Sequence, residues 1–344
     1  MISLTELMKR FKRRPSDFVG IDIGTTGINA VRMRKNNDEV SVLAADILPP
    51  LEMPDESSES PGEIPPLVLP PRLKGHYASL AIEGEKAIIK LMSFPGHFDE
   101  AAEGKVVQNM GVEDPSEYRI GYRLISEGHG KSESRVLAVA VPEIEARRAV
   151  MLLPAGRPAP FSLEVSGLAT MTCFVHGLGS RHEHDSVGVI DFGARISTFV
   201  LFNKGVLALI RRFDVGTDTL LDRVRETLGV DRETAEGIIS DGAFDVSQSV
   251  TEVMEPLVKQ LVVSRDFVER HENCHVVKVY VSGGLAASRN SLDELASSLG
   301  IEVDLWNPFE GLTIMPGVLT ENLAGKEWRF SVAIGACLAT FEEI

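Results

Sequence analysis

Two stretches of the chain share one pattern of hydrophobic and polar positions. Residues 19–31 (VGIDIGTTGINAV) and 187–200 (VGVIDFGARISTFV) each run from an apolar segment into an aspartate, a glycine and several small or hydroxyl-bearing residues. An apolar run bounded in this way predicts a buried strand that ends in a tight turn. Residues 279–288 (VYVSGGLAAS) add a third strand, which ends in two glycines. Their order predicts a duplicated α/β fold of two lobes with a nucleotide cleft between them.

The two aspartate-containing turns carry the residue types that bind a phosphate chain. Gly24 and Gly193 let the backbone approach an anion, and the next residues offer hydroxyl and amide donors: Thr25, Thr26, Ser197 and Thr198. Asp22 and Asp191 need a cation between themselves and a phosphate, and Mg²⁺ held through water is the usual one. Each motif alone is also typical of an ordinary strand-to-turn junction, so the prediction depends on their order.

The rest of the pattern predicts a compact unit inserted in the first lobe. Strand signals occur at residues 77–82, 87–92, 118–126 and 136–141, and helix signals at 98–110 and 143–153. Eight prolines between residues 49 and 71 predict an extended surface loop. Residues 4–14 (LTELMKRFKRR) predict a basic amphipathic helix suited to an anionic membrane surface or a partner's groove, with a solvated extension as the alternative.

Composition narrows the classes of function. The 344 residues carry a formal net charge of -15, which disfavours nucleic acid as a partner because phosphate contacts need a basic face. No apolar run reaches the roughly 18 residues that a membrane span requires. The three cysteines (Cys173, Cys274 and Cys337) are scattered in apolar contexts, which favours core thiols in a reducing cytoplasm over disulfides.

The order of motifs resembles a known family. The DIG start, the MSFP signature at residues 92–95, the small insertion, RRFDVG at 211–216, the AE-containing helix, SGG and NPF at 307–309 together resemble PilM, the actin-like protein of type IV pilus assembly. The cell-division protein FtsA is similar at a greater distance. The resemblance covers essentially the whole chain and implies a two-lobed actin/Hsp70-like fold, of the duplicated ribonuclease H-like type, with an FtsA 1C-like α+β insertion.

The resemblance also implies roles for further residues. Glu164 occupies the place of the residue that polarises the attacking water, with a helix N-terminal glutamate as the alternative. Contacts with ATP are implied for these positions: Gly216, Glu236, Ser282, Gly283 and Gly284. Two lysines of the family pattern are replaced here by Asn29, which faces the phosphates in this scheme, and by Ile239. Because each lost cation removes a charge-assisted contact, nucleotide binding is expected to be weak and hydrolysis slow at most.

The boundaries that follow divide the chain into four parts. Residues 1–14 form the basic segment; 15–86, 156–185 and 328–344 form the first lobe; 87–155 form the insertion; and 186–327 form the second lobe, with an outer subdomain at about 217–275.

By resemblance, the protein is cytoplasmic and peripheral to the inner membrane, where it binds ATP with Mg²⁺ and the short tail of a PilN-like bitopic protein. Other pilus platform or motor proteins are expected partners, and residues 4–14 add a membrane contact. Two alternatives stay open: a nucleotide-free scaffold of the same fold, and a small-molecule kinase of the actin/hexokinase superfamily.

Overall fold

A computed structural model describes residues 15–51, 65–130, 132–241, 245–287 and 289–343. The predicted helix at residues 4–14 and most of the proline-rich stretch lie outside these ranges. The described part contains fourteen strands: β1 (Asp17–Gly24), β2 (Gly27–Asn36), β3 (Glu39–Leu48), β4 (Tyr77–Ile82), β5 (Ile88–Pro95), β6 (Tyr118–Ser126), β7 (Glu133–Pro142), β8 (Ala159–Val165), β9 (Ser186–Phe192), β10 (Ser197–Asn203), β11 (Val206–Phe213), β12 (Val276–Gly283), β13 (Glu302–Leu305) and β14 (Thr313–Ile314). It also contains eight α-helices: α1 (Glu100–Met110), α2 (Glu143–Met151), α3 (Ser166–Leu178), α4 (Thr217–Leu228), α5 (Arg232–Asp241), α6 (Ser247–Glu272), α7 (Arg289–Leu299) and α8 (Ser331–Glu343).

Two of the three sheets repeat one topology. The first has the order β14-β3-β2-β1-β4-β8 and the second has the order β11-β10-β9-β12-β13. In each sheet, three consecutive strands form an antiparallel meander: β1-β2-β3 in the first sheet and β9-β10-β11 in the second. The first strand of each meander then pairs, on its other side, with a parallel strand, which is β4 in the first sheet and β12 in the second; a further parallel strand follows at the edge. The duplicated two-lobed fold expected from the sequence is therefore confirmed. Strand β14 pairs with β3 of the first sheet, although its residues fall within the range predicted for the second lobe.

The third sheet, of order β5-β7-β6, is the insertion. One face packs beneath α1, where Val106 and Met110 lie in a core with Val136 and Ala138 of β7. The helix α1 begins at the N-cap Asp99, whose side chain accepts a hydrogen bond from the Ala102 amide, and ends at Gly111 with φ of 70°. The predicted elements of the insertion thus occur in the predicted order.

Helices α3 and α8 pack against each other and connect the lobes. The main core includes residues of both helices, such as Phe174 and Phe341, together with strand residues of both lobes. Two glycines permit the close approach. A Cβ at Gly20 in β1 would lie 1.9 Å from the Ala333 carbonyl oxygen, and one at Gly335 would lie 1.8 Å from the Ala169 carbonyl oxygen. These contacts hold α8 directly against β1 and against α3.

Candidate functional site

The two predicted aspartates meet at the cleft. Asp22 lies near the end of β1 and Asp191 near the end of β9, the first strands of the two repeated sheets. Burial raises the pKa of Asp22 to about 6 and, together with the charge of Asp22, raises the pKa of Asp191 to about 7. Asp191 is 4% exposed and also accepts a hydrogen bond from the side chain of Thr170 in α3. The site therefore holds a partly buried carboxylate, Asp22, whose charge disfavours the ionised form of the buried Asp191.

The first turn joins β1 to β2 through Thr25 and Thr26, both exposed, between Gly24 and Gly27. The Thr25 hydroxyl donates to the Asp218 carboxylate of α4 over 3.5 Å, so this turn contacts the second lobe. Asn29 lies on β2 opposite Asp22, and its Nδ2 donates to the Asp22 carboxylate over 3.0 Å. Asn29 thus positions Asp22 directly.

The second turn, residues 193–196, presents backbone amides. The N–H groups of Arg195 and Ile196 donate to one carboxylate oxygen, Oε1 of Glu83, over 2.6 and 2.7 Å. Burial raises the pKa of Glu83, while these two amide hydrogen bonds act in the opposite direction. The hydroxyls predicted to bind phosphate lie further inside: Ser197 donates to the Val215 carbonyl over 2.5 Å, and Thr198 is 3% exposed. The amides, not the hydroxyls, are the donors at the surface of this turn.

The glycines predicted at the adenosine side allow close packing. A Cβ at Gly283, where φ is 86°, would lie 2.2 Å from the Phe192 carbonyl oxygen, and one at Gly284 would lie 2.3 Å from the Thr217 hydroxyl. Gly216 approaches the backbone of the second turn in the same way. Ser282 is buried and donates to the Trp328 carbonyl over 3.1 Å. These small residues bring the ends of β9, β12 and α4 together.

Two acidic positions have separate surroundings. Glu236 on α5 accepts a hydrogen bond from Nε of Arg232 over 3.1 Å, whereas Ile239 of the same helix is buried in the second-lobe core. Glu164 lies in β8, two residues before α3 begins, so it belongs to the strand and not to the helix. Glu164 lies opposite Ala81 of β4, and Ala81 lies opposite Asp22 of β1. Glu164 and Asp22 are therefore two strands apart, a distance of roughly 10 Å.

A partly buried cation also faces the cleft. Arg329 comes just before α8, and its Nη2 lies 3.3 Å from the position that a Cβ on Gly27 would occupy. Burial lowers the pKa of Arg329, while the charges of Asp22 and Glu236 raise it. Arg329 therefore lies between the first turn and the helix that carries Glu236.

A second arginine connects the lobes next to the second turn. Arg212 of β11 donates to three carbonyl oxygens of the segment after β4: those of Glu83 (2.8 Å), Gly84 (2.7 Å) and Ala87 (2.9 Å). Arg195 forms ion pairs with Glu83 and Glu85 of that segment. The residues between β4 and β5 are consequently held to the second lobe by side-chain and backbone contacts.

Comparison with known proteins identifies the family. The family model described as type IV pilus assembly protein PilM matches residues 116–341, about two thirds of the chain. This chain belongs to the PilM family. A solved structure described as the PilM-PilN type IV pilus biogenesis complex is similar to it, with a TM-score of 0.78 and 17% sequence identity over 94% of this chain and 98% of that one.

Weaker similarities accompany this one. The ethanolamine utilization protein EutJ from Carboxydothermus hydrogenoformans has a TM-score of 0.43 and 15% identity, covering 95% of this chain and 90% of that chain. MreB 5 of Spiroplasma citri bound to AMPPNP has a TM-score of 0.45 and 11% identity, covering 96% and 97%. No curated protein sequence matches this chain.

Two further properties of the PilM-family chain concern its described residues. None of their helices is long and apolar enough to cross a membrane. Within the same ranges, no three His, Cys, Asp or Glu side chains are arranged to coordinate a metal directly.

Sequence reasoning missed three residues at the cleft: Glu83, Arg212 and Arg329. Arg212 lies in the RRFDVG signature, which could have drawn attention to it, although the signature does not indicate which groups Arg212 contacts. Glu83 and Arg329 lie in segments without a motif, and their positions depend on how the lobes pack.

Proposed function

We propose that this PilM-family protein binds ATP with Mg²⁺ in the interlobe cleft and the short tail of a PilN-like inner-membrane protein on its insertion. It would then connect a cytoplasmic pilus assembly to the membrane, at the cytoplasmic face of the inner membrane. The observation that supports the nucleotide site is the convergence of Asp22 and Asp191 beside a turn whose amides already bind a carboxylate oxygen.

The residues present fit the phosphate end of such a ligand. Mg²⁺ prefers carboxylate and water oxygens, and two adjacent carboxylates with raised pKa values gain most from a divalent cation. The amides of Arg195 and Ile196 are oriented toward an anion. Arg329 supplies a cation near Gly27, in place of the family lysines absent at Asn29 and Ile239. When bound, Mg²⁺ would neutralise the phosphate charge that Asp22 and Asp191 otherwise repel.

Further residues have subsidiary roles in this proposal. Thr25 and Thr26 offer hydroxyls from the exposed first turn, while Glu236 and the segment Ser282–Gly284 border the nucleoside side. Glu164 is assigned to orienting a water molecule by accepting its hydrogen bond. Slow hydrolysis would follow from its distance of two strands from Asp22.

The nucleotide site is testable by titration calorimetry with ATP, in Mg²⁺ and in excess chelator. Asp22→Asn is expected to abolish Mg²⁺-dependent binding, because one of the two carboxylates loses its charge. Asp185→Asn, at a carboxylate that is 48% exposed, is the matched control and should bind like wild type. Equal affinities for wild type and Asp22→Asn would contradict the assignment, and no binding by wild type would favour the nucleotide-free scaffold.

The partner surface proposed here lies between the insertion and the first lobe. Strands β6 and β8 are each an edge strand of their sheet, and an edge offers unpaired backbone groups to an extended peptide. Arg123 of β6 pairs with Glu342 of α8 over 2.5 Å, and α8 also contacts β8, so both edge strands lie next to this helix. Leu124 of β6 and Phe161 of β8 are both more than one third exposed. Exposed apolar side chains beside two open edges suit a short peptide with apolar anchors.

A labelled peptide with the cytoplasmic residues of a PilN homologue from the same organism tests this surface by fluorescence anisotropy. Leu124→Asp is expected to weaken binding about tenfold or more, since a charge replaces an apolar contact. Val263→Asp introduces the same change at an exposed position of α6 in the second lobe and should have no effect. Equal weakening by both variants, or by neither, would place the peptide elsewhere. Residues 4–14, outside the described ranges, are proposed to add peripheral membrane contact, and other platform or motor proteins would bind the remaining surface.

A further inference from the structure

The second turn already holds an anion from its own chain. Glu83 follows β4 of the first lobe, and its Oε1 receives the amides of Arg195 and Ile196 of the second lobe. Gly193, at the start of the same turn, has no side chain, and a Cβ there would lie 2.6 Å from that oxygen. Convergent amides and a glycine are the features of a backbone anion site. The group that occupies this site is a carboxylate.

A phosphate oxygen and Glu83 Oε1 would require the same two amides. Both are anions, so they also repel each other, and burial around Glu83 strengthens that repulsion. The charges of Asp22 and Asp191 face the same region, since the charge of Glu83 raises the pKa of each. Simultaneous occupation of the turn by Glu83 and by a phosphate is therefore excluded on both steric and electrostatic grounds.

We propose that Glu83 is an intramolecular competitor of the nucleotide phosphates, bound to the second turn when the cleft holds no nucleotide and displaced when phosphate binds. This inference rests on the proposed nucleotide site. It assigns the weak binding expected of this chain to Glu83 as well as to the missing lysines.

Displacement of Glu83 has a structural consequence for the insertion. The carbonyls of Glu83, Gly84 and Ala87 are held by Arg212, and β5 of the insertion begins at the next residue, Ile88. Movement of the Glu83 carboxylate from the second lobe therefore acts on the segment that connects the cleft to the insertion.

Two substitutions and one matched control test the competition. Glu83→Ala removes the competing carboxylate, and Glu83→Gln keeps its volume and acceptor oxygen without the charge. Glu85→Gln removes the same charge from the same segment and the same partner, Arg195, but leaves the amide contacts intact. In calorimetry with Mg²⁺ and ATP, Glu83→Ala is expected to bind roughly 10- to 100-fold more tightly than wild type, the gain when a mostly closed site becomes open. The ATP affinity of Glu83→Gln should lie between those of wild type and Glu83→Ala, and the affinity of Glu85→Gln should match that of wild type.

Hydrogen exchange of the Arg195 and Ile196 amides gives a readout that does not depend on nucleotide. Without ligand, exchange of these two amides should be slow in wild type and in Glu85→Gln, and at least about tenfold faster in Glu83→Ala, where they lose their acceptor.

The outcomes separate the two proposals. Measurable ATP binding with equal or lower affinity in Glu83→Ala would overturn the competition while leaving the nucleotide site standing. No ATP binding by any of the proteins would refute the nucleotide site itself. In that case, faster amide exchange in Glu83→Ala would support the binding of the Glu83 carboxylate to the second turn, and unchanged exchange would refute it.

Discussion

Replacing Asp191 by asparagine should stabilise the nucleotide-free protein while destroying its Mg²⁺ response. Asp191 is buried, and its ionised form is opposed by burial and by the charges of Asp22 and Glu83. Asparagine has the same shape and keeps an oxygen that can accept the hydrogen bond from Thr170. The substitution therefore removes an unfavourable charge without leaving a cavity.

The magnitude follows from proton linkage. The pKa of Asp191 rises from its ordinary value of 3.8 to about 7 in the folded protein, so the folded state binds this proton more tightly than the unfolded state does. The stabilisation is complete below pH 3.8 and is lost as the pH rises to about 7. Each unit of pKa shift corresponds to about 1.4 kcal/mol, so wild type should lose about 2 to 4 kcal/mol relative to Asp191→Asn between pH 4 and pH 8.

Urea unfolding of both proteins at pH 4 and pH 8 measures this difference. The midpoints should be similar at pH 4, whereas at pH 8 that of Asp191→Asn should be higher by roughly 1 M urea. Asp38→Asn removes the same charge from an exposed turn and should follow wild type at both pH values. Mg²⁺ with ATP should raise the midpoint of wild type but not of Asp191→Asn. If the midpoints of the two proteins changed in parallel with pH, the buried repulsion argued here would be refuted.

Two further predictions concern the cleft cation and the helix packing. Arg329→Gln should weaken ATP binding about tenfold or more in calorimetry, because a charge-assisted contact is lost, whereas Arg329→Lys should retain part of the affinity; equal affinity in all three proteins would remove Arg329 from the site. Gly20→Ala should cost several kcal/mol in urea unfolding, since its Cβ would overlap the Ala333 carbonyl. Gly104→Ala, in α1 with no atom within 4 Å of the new Cβ, should instead stabilise by about 0.5 to 1 kcal/mol, and similar effects of the two substitutions would contradict the packing argument.

The sequence alone predicted the elements that have a clear period and clear ends. Strands β1 and β9 are recognisable because their apolar runs end at an aspartate and a glycine, and each does begin one repeated sheet. The insertion was equally readable, because its strands and helices are short and separated by breakers. The boundary before α3 was less readable: Glu164 was considered as a helix N-terminal residue, but it lies in β8, which pairs with β4 as a parallel strand. Pairing with a distant strand overrides local preference there.

The candidate site was only partly predictable, because a motif gives residue types and not the direction in which they point. The sequence identified Asp22 and Asp191 by their turns, but it gave no indication that Ser197 would donate to a backbone carbonyl within its own lobe. The contacts of Glu83 and Arg329 join segments that are far apart in the chain. Such contacts depend on the relative position of the lobes, which residue patterns do not encode locally.

The charges around the cleft argue that its carboxylates are kept for a ligand. The charge of Glu83 raises the pKa values of Asp22 and Asp191, and the charge of Asp22 raises that of Asp191 further, so these anions destabilise the fold that contains them. Arg329 compensates part of this charge: burial lowers its pKa, and the attraction of Asp22 acts in the opposite direction. A purely structural cleft would be more stable with amide or apolar side chains in these positions. A divalent cation would reverse the balance, because it converts mutual repulsion into shared coordination. The stability gained by Asp191→Asn would therefore measure directly what the chain gives up to keep a site that favours Mg²⁺.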